Sequence, residues 1–341
     1  MKKKNLWAVC YGLALTAFTV YISLDTFVLT ETYQTDTTQM NTSLFEDISA
    51  NALTEETTET EFSVIETEQN ASPSGRKHSR HSSQEEQETT ESDTVITTEP
   101  ETSGDKTYQD ENCKITLTEY YENNTRIYVA DVVLSSAEYL KTAFADDTYG
   151  KNITEKTSSI AEAHNAVLAI NGDYYGTQER GYVIRNGVVY RDTKGSNDVL
   201  CIYADGTMQV ISPDDYTAEE LVSMGVWQAF SFGPGLIEDG NITVTQNQEV
   251  GKAMASNPRT AIGIIDSNHY VFVVSDGRTS ESEGLSLYQL AEFMQGLGVK
   301  TAYNLDGGGS STMYFNGEVI NQPTTSGKIK EREVSDIVYI G

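Results

Sequence analysis

Residues 304–311 read Asn-Leu-Asp-Gly-Gly-Gly-Ser-Ser, which sets a carboxamide and a carboxylate just before three residues without side chains. Glycines let the main chain approach a ligand closely, and a turn lined by N–H groups suits an anion. Asp306 is a candidate site carboxylate, with Gly307, Gly308, Gly309 and Ser310 as the anion cradle. Two further apolar runs end in a similar way. Asn171, Gly172 and Asp173 follow one, and Asp276, Gly277 and Arg278 follow another. If the three runs are strands sharing one sheet edge, three carboxylates and two carboxamides, Asn171 and Asn304, meet beside the glycine turn. Singly, Asn-Gly and Asp-Gly are ordinary turn formers; their recurrence after apolar strands argues for a site. Arg259, at the head of another apolar run, adds a guanidinium that could clamp a phosphate or carboxylate with two parallel N–H bonds.

Several other chemistries fit poorly. The four histidines, His78, His81, His164 and His269, have no zinc-protease spacing. The chemistry requires no cofactor, and a metal, if one binds, would be a hard cation such as Ca²⁺ or Mg²⁺ held by oxygen. Ser310 and Ser311 lack a Gly-x-Ser-x-Gly frame and no histidine follows them, which disfavours a serine hydrolase. Three adjacent glycines do not give dinucleotide-binding spacing. Residues 106–341 carry 32 acidic and 17 basic side chains, so nucleic acid is excluded as a partner.

The elements that must position these groups are short. Residues 114–118, 126–134, 166–170, 226–232, 260–265, 270–275 and 299–303 have strand patterning. Asn186-Gly187, Asp205-Gly206 and Asn316-Gly317 mark tight hairpins. Residues 153–165 have helical character, residues 217–224 form a short helix, and the best helix starts at an N-cap Ser286 and stops at Gly298. Many hairpins and few helices predict an α+β fold, with a mixed, largely antiparallel sheet and a few packed helices.

Ahead of this domain, three lysines precede an uncharged apolar run at residues 5–24, long enough to span a bilayer. With no small-x-small cleavage site after it, the run predicts a signal anchor over residues 1–29, single-pass in the cell membrane with the C-terminal bulk outside. Residues 25–105 hold 19 acidic and 3 basic side chains among many Thr, Ser and Gln, which predicts a disordered linker over residues 30–105 and a folded domain over residues 106–341. As a free tether of about 80 residues it would hold the domain about 50 Å from the membrane. Cys113 and Cys201 lie outside the span, and whether they pair is open.

Together, NGDYY at 171–175, NPRTAIG at 257–263, SDGR at 275–278, LSLYQLAEFMQGLG at 285–298, NLDGGGSSTMYFNG at 304–317 and the late Glu331-Arg332 resemble the phosphodiester glycosidase family. The resemblance implies hydrolysis of a sugar-1-phosphodiester at its anomeric C–O bond. On that basis Arg259 and the backbone of residues 307–310 would hold the phosphate, and Arg278 would bind substrate. Asp306, Asp173 and Asp276 would share the catalytic work, while Asn171 and Asn304 orient sugar hydroxyls or the catalytic carboxylate. With a membrane anchor, the natural partner is a carbohydrate phosphodiester on an anionic cell-wall glycopolymer or exopolysaccharide. The alternative is a non-catalytic surface module that binds such a polymer or assists its assembly.

Overall fold

The computed structural model describes residues 6–35, 37–46, 103–250 and 256–341. Among the described residues, three larger antiparallel sheets surround one core and three two-stranded sheets lie beside them. The largest has eight strands, with Gly235–Glu238, Thr301–Asn304, Arg259–Asp266, His269–Ser275 and Thr125–Leu134 at its centre. A five-stranded sheet carries Leu168–Asn171 between Met313–Phe315 and Asp336–Ile340, and a second carries Val226–Phe230 between Val183–Arg185 and Val199–Tyr203. Every strand pair among the described residues is antiparallel, where a mixed but largely antiparallel sheet was expected. The α+β class stands.

Alternation along the strands explains the layering, because each sheet sends one set of side chains inward. Ile262, Phe272 and Tyr303 from the large sheet meet Ile170, Met313 and Val338 from the second and Leu200, Ile202 and Phe230 from the third. Each outer face is covered by one helix. Leu287–Gly296 covers the large sheet, where Ser286 and Gln289 form a reciprocal capping box. Thr157–Ala163 and Ala218–Ser223 cover the other two. The helix expected over residues 153–165 is shorter than predicted, because Glu155–Lys156 pairs with Glu333–Val334 as a strand. Cys113 and Cys201 are buried free thiols in separate parts of the fold.

The helix Leu6–Phe27 is long and apolar enough to cross a membrane, and residues 7–24 are all exposed. The segment after it departs from the free tether. Glu31–Thr35 is a strand paired with Thr148–Lys151 of the domain. Residues 47–102, the bulk of the predicted linker, lie outside the described residues, and the domain begins with the strand Ser103–Gln109.

Candidate active site

Asn171, Asn304, Asp306 and the glycine turn come together at a junction of two sheets, where a single sheet edge was expected. His269–Ser275 and Thr301–Asn304 both pair with Arg259–Asp266, so their C-terminal ends and Arg259 share one edge of the large sheet. Leu168–Asn171 belongs to the neighbouring sheet. Asn171 joins the two: its buried carboxamide donates to the Asp306 carbonyl at 2.7 Å and accepts from the Thr260 hydroxyl at 2.8 Å. Next to it, a Cβ on Gly172 would fall 2.4 Å from the Asp336 carboxylate, so only glycine fits there.

Asp306 sits just behind this junction. One carboxylate oxygen accepts from Ser310 Oγ at 2.6 Å and from Arg332 at 2.8 Å. Burial pushes the Asp306 carboxyl above the usual range, while Arg332, Ser310 and the Gly307 amide pull it back. The side chain keeps 14% of its surface open, whereas Asp173 keeps 3%. On the other side of the turn, Arg278 holds a left-handed backbone conformation at φ 63° and donates to Asn257 Oδ1 at 2.8 Å. Such a conformation in a bulky residue costs energy and is retained where position matters. Its guanidinium lies so close to Gly308 that a Cβ there would come within 2.8 Å. Two arginines therefore flank the glycine turn, Arg278 exposed and Arg332 half-buried, the latter bonded to Asp306, Ser310 and the Gly307 carbonyl.

The turn itself is mostly self-bonded. Gly308 N–H donates to Pro258, Ser310 N–H to Gly307 and Ser311 N–H to Gly308, which stiffens the turn and commits these amides internally. Of the backbone donors expected to act with Arg259, the Gly308 and Ser310 amides are thus occupied, and the exposed cation beside the turn is Arg278. Arg259 also differs from expectation. It is buried and donates to the Leu285 carbonyl and Glu249, so its guanidinium is engaged within the protein. Asn304 donates to the Gly233 carbonyl at 2.8 Å, and its side-chain carbonyl oxygen is buried without a hydrogen-bond partner among the described residues.

The three aspartates do not converge on one point. Asp173 accepts from Arg185, Tyr175 N–H and Ser231 N–H, three bonds that occupy both its oxygens. Asp276 lies behind the turn and accepts from Asn321, the Gln322 amide and Tyr128, and burial raises its carboxyl. Among the described residues, no group of three His, Cys, Asp or Glu side chains is placed to hold a metal.

The sequence reading did not include Arg185, Asp336, Asn257 or Asn321 among the site residues, and it took Arg332 only as part of a motif. Arg185 is fully buried and bridges Asp173 at 3.0 Å and Asp336 at 2.7 Å beneath the site. Burial and the second carboxylate outweigh the shared guanidinium and raise Asp336 to about 7. The available signal was a charge at the end of each of two apolar strands, Val183–Arg185 and Asp336–Ile340.

A family model described as phosphodiester glycosidase matches residues 164–341, more than half of the chain. An uncharacterized SPbeta prophage-derived protein of Bacillus subtilis, YomE, is 30% identical over 179 residues, covering 51% of this chain and 28% of YomE. Mouse N-acetylglucosamine-1-phosphodiester alpha-N-acetylglucosaminidase is 30% identical over 181 residues, covering 46% of this chain and 33% of the mouse protein. The chain thus spans about a third of these relatives' length. The auto-inhibited catalytic domain of the zebrafish enzyme of the same name has the same fold, with a TM-score of 0.54, 22% identity, and coverage of 72% of this chain and 88% of that one. From the extent of the family match and the site motifs lying within it, this chain belongs to the phosphodiester glycosidase family.

Proposed function

We propose that the domain hydrolyses a sugar-1-phosphodiester at the anomeric C–O bond, releasing free sugar and a phosphomonoester. The observation that carries this reading is the pairing of one partly open, raised-pKa carboxylate with two arginines across a rigid glycine turn. The phosphodiester sits between Arg278 and Arg332, which stabilise the charge that grows on the phosphate as it leaves. Asp306 takes a proton from water as the water oxygen bonds to the anomeric carbon and the C–O bond to phosphate breaks, and its charge favours the oxocarbenium-like transition state. Asn171 fixes the Asp306 backbone. Arg185 fixes Asp173 and Asp336 below it.

The helix Leu6–Phe27 serves as a membrane anchor, with the three N-terminal lysines on the cytoplasmic side and the domain outside. The substrate is then a phosphodiester-linked sugar on a cell-surface glycopolymer or exopolysaccharide.

The test is incubation of the protein with a sugar-1-phosphate methyl diester in oxygen-18 water. Label in the sugar is expected. Label in the phosphate would mean P–O cleavage, and saturable binding without product would favour a binding module.

A further inference from the structure

We infer that residues 25–35 and 37–45 form a strap that clamps the folded domain against the bilayer, so that contacts made before residue 47 hold the head to its anchor. The inference rests on the helix Leu6–Phe27 being a membrane anchor and is independent of the reaction.

The contacts are continuous from the end of the helix. Asp25 pairs with Lys151 at 3.4 Å, and Asn152 Nδ2 donates to the Thr26 carbonyl at 3.3 Å and to the Leu29 carbonyl at 2.9 Å. Four residues after Phe27, strand pairing begins: Glu31 opposes Lys151, Thr32 opposes Gly150, Gln34 opposes Tyr149 and Thr35 opposes Thr148. Gly150 permits this approach, because a Cβ there would fall 2.2 Å from the Glu31 carbonyl. The strap continues past the strand. Thr37 is buried, its N–H donates to the Asp147 carbonyl and its carbonyl accepts from Tyr190. Asn41 N–H donates to the Asn186 carbonyl, and Phe45 packs edge-on against Trp227 at 5.0 Å.

Its length sets the geometry. Three residues separate the helix from the paired strand, and fully extended they span about 10 Å. That is far below the roughly 50 Å of a free 80-residue coil. The clamped face also adjoins the catalytic floor. Tyr149 stacks on Tyr175, whose N–H binds Asp173, and Asn186, which receives the strap, follows Arg185.

Covalent continuity through residues 47–102 is therefore not what holds the head to the anchor. The experiment uses the full chain in liposomes with a specific protease site inserted within residues 60–90. After complete cleavage, at least tenfold more head is expected in the liposome pellet than in the supernatant. A second chain carries Thr32→Pro and Phe45→Ala, changes confined to the strap, and its head is expected to be released on cleavage. Release of the unsubstituted head would overturn the strap, as would retention of the substituted one. A third chain carries Thr35→Cys and Thr148→Cys. It is expected to keep the anchor fragment joined to the head on a non-reducing gel after cleavage and to lose it on reduction; no such cross-link would equally overturn the proposal.

Discussion

The side-chain amide of Asn171 donates to the main-chain carbonyl of Asp306 at 2.7 Å, tying the end of a strand in one sheet to the loop after a strand in another. The same side chain accepts from Thr260, so one carboxamide sets the spacing of two sheets at the candidate site. Asn171→Ala would leave the Asp306 carbonyl and the Thr260 hydroxyl without these partners in a dry interior, costing about 1–3 kcal/mol. We expect a lower melting temperature together with a fall in kcat of more than about tenfold, since small displacements of a catalytic group are costly. Thermal melts and steady-state kinetics check this. Lost stability with unchanged kcat would restrict Asn171 to the fold.

Asp306→Asn keeps the shape of the site and removes the base. Its kcat should fall by roughly 10²- to 10⁴-fold with little change in melting temperature. A folded variant with full activity would remove Asp306 from the mechanism.

The pH dependence follows from the direction of the shift. Burial holds Asp306 above the ordinary carboxylate range, and the base must be ionised to work, so activity should drop on acidification at a higher pH than for a free carboxylate. Arg332 pulls that pKa down, so Arg332→Gln should move the acid limb of kcat further up. A limb that moves down, or stays in place while kcat falls, would assign Arg332 a different role.

Arg185 is buried with two carboxylates, and removing it leaves negative charge in the interior. Arg185→Met should cost about 3–5 kcal/mol, more than the loss of a surface ion pair. Denaturant unfolding measures it directly. A change below about 1 kcal/mol would mean that the carboxylates below the site are already neutral or solvated.

Asp336 supplies a separate pH test. Its folded-state pKa of about 7 lies above the ordinary value for an unfolded aspartate, about 3.9, so the folded state binds the extra proton. Its contribution to stability is therefore present at low pH and is lost as pH rises from about 4 to about 7. Asp336→Asn mimics the protonated form and avoids that loss. Relative to the unsubstituted protein, its melting temperature should improve steadily between pH 4.5 and 7.5. A difference that does not vary with pH would show that Asp336 titrates normally.

Local sequence was enough for everything that depends on near neighbours in the chain. The Asn186-Gly187 and Asn316-Gly317 turns, the Ser286 cap and the apolar span at residues 5–24 follow from backbone conformation and side-chain periodicity over a few residues. The motifs around Asp306 and Asn171 were legible for the same reason. What each polar group bonds to was decided by tertiary structure, because those partners lie far away in sequence. Arg185 meets Asp336, 151 residues on, and Asn171 meets Asp306, 135 residues on. Arg259 had the right chemistry for an anion, yet packing gave it to Glu249 and Leu285, while Arg332 and Arg278 were brought to the glycine turn. The strap shows the same division: Glu31–Thr35 reads as polar linker by composition, and only its pairing with Thr148–Lys151 makes it a strand. Exposed strand edges accept any backbone that satisfies their hydrogen bonds, and composition does not record which one will arrive.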